Sequence, residues 1–323
     1  MNSITNKIIY VMSLTFLVSC YQMPGEKEPP KIEDTGYQFY SMAYASYQAG
    51  QFDKALEQID KAIRLNRYIA KFFHLKGDIF IAKKDPDKAL TAYEQAVSLR
   101  SFSPDILEKM AQIYIEKGQF ADAIQSKKKV LVNRPEKYDQ HLDISELYLK
   151  LNQSDFAMNS AGVYKKEITE KKLILSGRYF QIMGRIYYAK IDYENSIIFY
   201  LKAVQTGFSL EPGDNQKFLF SYFGLKQYEN AYNYLLRLKP ENLPEADIHF
   251  FRGLYYYNKQ NYKDAQTQLE LSLQKKTGIN KVYLYLAKTY LKVGKNTDSD
   301  TMFDVYKKIT GFDSWNDEFS VNN

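Results

Sequence analysis

Cysteine is nearly absent from this chain. Among 323 residues there is one, Cys20, so neither an internal disulfide nor a cysteine metal cluster can form. Histidine is almost as scarce: His74, His141 and His249 are scattered and leave little from which to build a zinc site. Glycine (15) and proline (9) are too few for a turn-dense all-β fold. Neither sign of charge dominates, because 44 lysines and arginines are interleaved with 38 acids to give a net +6. So balanced a mixture argues against nucleic acid as a partner. Glycine-rich phosphate loops, H-E-x-x-H spacings and nucleophile elbows do not occur. No enzyme activity, metal, cofactor or small-molecule substrate is therefore expected. What is present suits a globular chain with a substantial core: 45% hydrophobic and 25% charged residues, with 29 tyrosines and 20 phenylalanines.

The amino terminus reads as an address. A short polar stretch carrying Lys7 precedes an apolar run of 11 residues, Ile8 to Val18. A spanning helix needs roughly 20 apolar residues, so this run fits the core of a signal peptide instead. Leu17-Val18-Ser19-Cys20 resembles a bacterial lipobox and holds the only cysteine. That resemblance implies cleavage after residue 19, a diacylglycerol on the Cys20 thiol and an acylated new amino terminus, hence a lipid anchor in a membrane. An ordinary secretory signal with an incidental Cys20, or a cytoplasmic chain with a sticky amino terminus, are the alternatives. Residues 20–35 follow as the acylated cysteine and a solvated tether, with three prolines and six charged residues in Gln22 to Thr35. Such a tether reaches on the order of 20 Å.

A period of 34 governs the rest. Ala55, Ala89, Ala123 and Ala157 are each 34 residues apart, and Ser196, Ala231, Ala265 and Ser299 continue at steps of 39, 35, 34 and 34. Twelve residues earlier lies a second column, small at seven of its eight positions: Ala43, Gly77, Ala111, Ser145, Gly184, Leu219, Gly253 and Ala287. Nine residues before the first column, seven of eight positions are aromatic, from Phe80 and Tyr114 to Tyr290. Two small columns allow the helices of a hairpin to cross closely, and the aromatics fill the flanks. Turns such as Ala49-Gly50-Gln51 and Lys117-Gly118-Gln119 predict that glycine ends the first helix. One hairpin cannot bury both of its apolar faces, so neighbouring units must stack.

This pattern resembles the tetratricopeptide repeat family, most clearly in Ala70 to Ser103, where Gly77, Phe80, Ala89, Tyr93 and Ala96 fall in the family's positions. The resemblance implies an all-α fold, an α-α superhelix or solenoid of about eight hairpins. The units lie near 36–69, 70–103, 104–137, 138–176, 177–211, 212–245, 246–279 and 280–313, with a tail at 314–323. Two departures stand out. Tyr164 occupies a position where a small residue is usual, with extra residues before Gly177. The sixth unit opens with a loop expected from Gln205 to Asp214 and has a shortened second helix. Trp315 and Phe319 are read as a cover for the last helix, or alternatively as a partner-binding tail.

In stacked hairpins the first helices line one face, and positions spaced 3, 4 and 3 apart share it. Tyr37, Tyr40, Tyr44 and Tyr47 form a tyrosine stripe, and His74, Asp78, Asp105, Glu108, Gln112 and Glu146 an acidic middle. Arg178, Arg185 and Tyr188 make a basic step, followed by Phe220, Phe223, Phe250 and Tyr257 and then Lys281 and Lys288. Such zoning suits an extended or helical partner segment whose basic residues face the acids. Solvated helix faces would give the same pattern. His74, one turn before Asp78, reads as helix-surface geometry. Lys127-Lys128-Lys129 and Lys165-Lys166 read as outer faces, with anionic lipid headgroups as an alternative contact.

Together these features predict a lipid-anchored scaffold or adaptor in bacterial envelope assembly, with proteins as partners. Its expected place is the outer membrane, on the periplasmic face or the cell surface. A pilotin-like role in pilus or secretin assembly, a surface lipoprotein binding a host ligand, and a cell-wall enzyme or its regulatory subunit are the alternatives.

Overall fold

A computed structural model describes residues 32–99 and 103–315. Cys20, most of the tether and Phe319 lie outside them. The described residues form sixteen α-helices and no strand. None of these helices is long and apolar enough to cross a membrane. The chain divides into two compact units, one up to Ile106 and one from Leu107.

The first unit holds α1 (Ile32–Gln48), α2 (Phe52–Leu65), α3 (Ala70–Ala82), α4 (Pro86–Ser98) and the start of α5 (Pro104–Glu116). Helix α1 begins ahead of Gly36, so the last tether residues are helical. In this unit α1 packs on α2, α2 on α3 and α3 on α4. The second unit continues with α6 (Phe120–Asn133), α7 (Gln140–Lys150), α8 (Ser154–Glu170), α9 (Gly177–Ala189), α10 (Tyr193–Gln205), α11 (Pro212–Gly224) and α12 (Tyr228–Leu235). After a 3-10 turn at Pro240–Asn242 come α13 (Glu245–Asn258), α14 (Tyr262–Gln274), α15 (Lys281–Lys292) and α16 (Asn296–Thr310). From α6 onward, each helix packs on the next, and α9 touches both α7 and α11. Within the second unit α7, α9 and α11 thus lie side by side and present a common face.

The two small columns meet at the helix crossings. Where one member is serine, its hydroxyl donates to the partner's backbone carbonyl: Ser145 to Ala157 at 2.8 Å, Ser196 to Gly184 at 3.1 Å, Ser299 to Ala287 at 2.8 Å. Space at the crossing is tight. A Cβ on Gly77 would come within 2.3 Å of the Tyr93 ring, and one on Gly184 within 2.8 Å of the Tyr200 ring. Both rings are fully buried, so they have nowhere to retreat.

Every hairpin turns in the same way. Five residues before the small residue the backbone is left-handed, at Gly50, Lys84, Gly118, Asn152, Ile191, Lys226, Gln260 and Gly294. The following N–H reaches back five residues to a carbonyl, as in Gln51 to Ser46 and Asp192 to Tyr187, both 2.9 Å. This is the Schellman closure. Glycine, expected to end each first helix, fills only three of the eight left-handed positions. The hydrogen-bonded closure sets the conformation and the residue accommodates it, at a cost that is largest for β-branched Ile191 at φ 61°.

Both irregular units have physical explanations. Helix α8 is 17 residues long, and its Tyr164, 2% exposed, donates to Ser176 Oγ at 3.1 Å and stacks on Tyr179. The added ring fills the space gained by the added turn. In the sixth unit the expected loop from Gln205 to Asp214 is shorter, because Pro212 starts α11 and its missing N–H suits a first helical position. Helix α12 has 8 residues, and buried Leu243 follows the 3-10 turn. The Asn215 amide ties both ends of this region by donating to the carbonyls of Leu210 and Asn242. At the carboxyl end, the Trp315 ring stacks on Phe303 of α16 with centroids 4.1 Å apart.

Candidate functional site

The shared face of α7, α9 and α11 carries a charge network. Asp214, in the first turn of α11, has a fully buried side chain. It receives a two-pronged contact from Arg185, Nε to Oδ1 at 2.6 Å and Nη2 to Oδ2 at 2.8 Å. Gln181 donates to it at 2.6 Å and the buried Tyr200 hydroxyl at 3.4 Å. The rest of the Arg185 fork reaches Glu146 on α7 at 3.1 Å and Glu211 at 2.8 Å. Two turns earlier on α9, Arg178 bonds Glu146 and, at 2.7 Å, Asp143. Lys127 completes the chain from α6, donating to Asp143 at 2.8 Å and Gln140 at 2.9 Å. Burial works against the charged form of Arg185. The bonds and charges of Asp214 and Glu146 outweigh it and hold its pKa above the usual arginine range. Tyr200 moves the same way, raised by burial and by the Asp214 charge. Charge-assisted, forked bonds of this kind fix geometry as well as charge.

Beside the network lies a cleft of about 780 Å³. Gln112 and Ile115 of α5, Glu146, Leu147 and Leu149 of α7, and Arg185 and Tyr188 of α9 line it. Lys127, Asp143, Lys150, Asn152, Glu211 and Lys217 complete the wall. Its surface mixes leucine and isoleucine with fixed charges, a lining suited to a peptide segment. Among the described residues, no cluster of three or more histidines, cysteines or carboxylates could hold a metal ion.

The expected groove residues divide. Gln112, Glu146, Arg185 and Tyr188 come together on the cleft, and Arg178 supports it through Glu146. Tyr188 packs against Tyr193, and burial raises its pKa. Glu108 forms an ion pair with Lys137 at 2.5 Å, while Asp105 is exposed at the start of α5. Tyr37, Tyr40, Tyr44 and Asp78 belong to the other unit. There Tyr40 stacks on Phe72, Tyr37 meets the same ring edge-on, and Tyr44 stacks on Tyr40. Asp78 accepts from the buried Tyr93 hydroxyl at 2.6 Å and has His74 at 3.6 Å, so it braces the hairpin crossing.

Three expectations need correction. The acids near the cleft do not wait for a basic partner, because Arg178, Arg185, Lys127 and Lys137 already pair with them. Phe223 and Phe250 are buried in the core instead of lining an open face, and Lys281 and Lys288 are buried too. Lys127, read as part of an outer basic run, turns inward to Asp143. The sequence reading also missed Asp143, Glu211, Asp214 and Lys217. The last three sit where a loop was expected or just after it. The signal was Glu211-Pro212-Gly213-Asp214, in which proline and an acid mark the first turn of a helix.

Fold and cleft define a helix-hairpin repeat protein. Within it, residues 40–107 match the tetratricopeptide repeat-like domain. The chain is 25% identical over 189 residues to a BBSome complex member from Bos taurus, covering 57% of this chain and 34% of that protein. It is 27% identical over 182 residues to a TPR repeat-containing protein of Methanocaldococcus jannaschii, covering 53% and 30%. This chain thus spans about a third of each of these two relatives. Among solved structures it resembles a tetratricopeptide repeat protein from Parabacteroides merdae, with TM-score 0.49, 18% identity, and coverage of 79% of this chain and 98% of that one.

Proposed function

We propose that this chain is a protein-interaction scaffold that holds a segment of a partner protein in the cleft between α5, α7, α9 and α11. The carrying observation is that cleft, with ion pairs anchored on buried Asp214 beside it and Gln112 and Lys150 exposed at its edge. The match of residues 40–107 to the tetratricopeptide repeat-like domain, and similarity to a protein named as a member of a multi-protein complex, support the reading. The resemblance of Leu17 to Cys20 to a lipobox supports a finer one: a lipid anchor on Cys20 that holds the scaffold at a bacterial membrane, where it serves envelope assembly.

Cross-linking in intact cells followed by affinity recovery tests both. Native chain is compared with a cleft variant, Gln112→Ala, Lys150→Glu and Tyr188→Ala, and with Cys20→Ser. One envelope complex should be recovered with native chain and lost with the cleft variant. Cys20→Ser should lose palmitate incorporation and leave the membrane fraction. Equal recovery from the cleft variant overturns the cleft as the working surface. Membrane retention without label overturns the lipid anchor.

A further inference from the structure

The cleft's charges are not all paired. Each of its carboxylates already has a cation: Asp143 has Lys127 and Arg178, Glu146 has Arg178 and Arg185, Glu211 has Arg185. Among the described residues, two of its cations have no carboxylate in ion-pair contact. Lys217, half-buried on α11, donates only to the backbone carbonyl of Gly213 at 3.1 Å. Lys150, exposed on the rim, lies over the Phe120 ring at 5.1 Å. A partly desolvated ammonium gains most from an incoming negative charge, because water no longer screens it fully. Burial indeed lowers the pKa of Lys217, opposed by the charges of Asp214 and Glu211.

We propose that the cleft recognises an acidic segment of a partner protein, with one carboxylate seated at Lys217, a second at Lys150 and apolar side chains against Ile115 and Leu149. This rests on the scaffold reading above and reverses the charge that the sequence assigned to the ligand. The choice of a peptide over a polyanion follows from the same geometry. Asp143, Glu146 and Glu211 line the wall beside the two lysines and repel a multiply charged phosphate or nucleic-acid backbone, whereas single carboxylates can sit between them. The leucines and isoleucine would have nothing to cover in a purely ionic complex.

The test uses the full chain in detergent and fluorescence anisotropy. Its probes are short labelled peptides of alternating glutamate and leucine, or of alternating lysine and leucine. The acidic peptide should bind at least about tenfold tighter than the basic one, less so as salt rises. Lys217→Met should weaken it by about tenfold and Lys150→Met by a few-fold, with unchanged helical circular dichroism. Preference for the basic peptide, equal binding of the two, or a Lys217→Met protein that binds like native overturns the proposal. Competition by inorganic phosphate as strong as by the acidic peptide would overturn it in favour of a small-anion site. Equal binding of anionic vesicles by native and Lys217→Met protein, with no peptide bound, would move the contact to a membrane surface. The two readings fail separately: a client recovered from cells that carries no acidic segment leaves the scaffold standing and removes this inference.

Discussion

Helices α1 and α3 meet through aromatic rings, whereas α7, α9 and α11 meet through charge. In the first unit Tyr37 and Tyr40 pack around Phe72, with centroids 5.4 and 5.6 Å away, and the Lys71 ammonium lies 4.9 Å above Tyr40. In the second, Arg178 and Arg185 of α9 bridge carboxylates on α7 and α11. The backbone frame is the same in both, since Gly77 with Tyr93 and Gly184 with Tyr200 make equivalent crossings. Equivalent positions on equivalent helices can therefore be joined by quite different chemistry. The two solutions fail differently. Removing a ring loses burial and stacking, while removing one ion from a buried network leaves its partner charged and dry.

The sharpest test of the contrast is Arg185→Met, which strands Asp214. It should destabilise the protein by about 3–5 kcal/mol in urea unfolding. Arg185→Met with Asp214→Asn should recover a good part of that loss; no recovery would mean that Arg185 acts through packing and not through charge. Next in size are the shared crossings. Gly77→Ala and Gly184→Ala should each cost about 1–3 kcal/mol, because the new methyl meets a buried ring. A much smaller effect for one of them would break the claim of a common frame. Tyr40→Leu in the first unit should cost about 1 kcal/mol, with no dependence on salt. A salt-dependent loss would show charge at work there too, through Lys71. In the other direction, Ile191→Asn should gain up to about 1 kcal/mol by relieving a β-branched residue at positive φ. The second unit should also respond more to acid. Burial lowers the pKa of His141, opposed by the Glu167 charge. The unfolded chain thus takes up the proton first, so stability is lost as pH falls below the unfolded histidine value of about 6.5. His141→Gln should flatten this part of the urea-midpoint profile; an unchanged profile removes His141 from the cause.

Much of this architecture is legible in the sequence. The columns at Ala55 and Ala43 and their successors locate the hairpin crossings, because small side chains, at all but Leu219, permit backbones to approach closely. The αL turns were less legible. Lys84, Ile191, Lys226 and Gln260 take a conformation that glycine would have advertised, since the closing hydrogen bonds impose it. Within the site, Glu146, Arg185 and Tyr188 were found by helix periodicity. Their partners Asp214 and Glu211 were not, because Pro212-Gly213 resembles a loop until the first turn of α11 is seen.

The sequence by itself determined the hairpin repeat, its register and the side of α5, α7 and α9 that faces the cleft. These follow from spacing along one chain, and spacing is local. Only the tertiary structure decided which charges remain available. Arg185 and Asp214 are 29 residues apart, and Arg185 and Glu146 are 39 apart. Nothing in their local sequence says that they neutralise each other. Pairing is a property of distances across stacked helices, and it leaves Lys217 and Lys150, not the acids, to meet a partner.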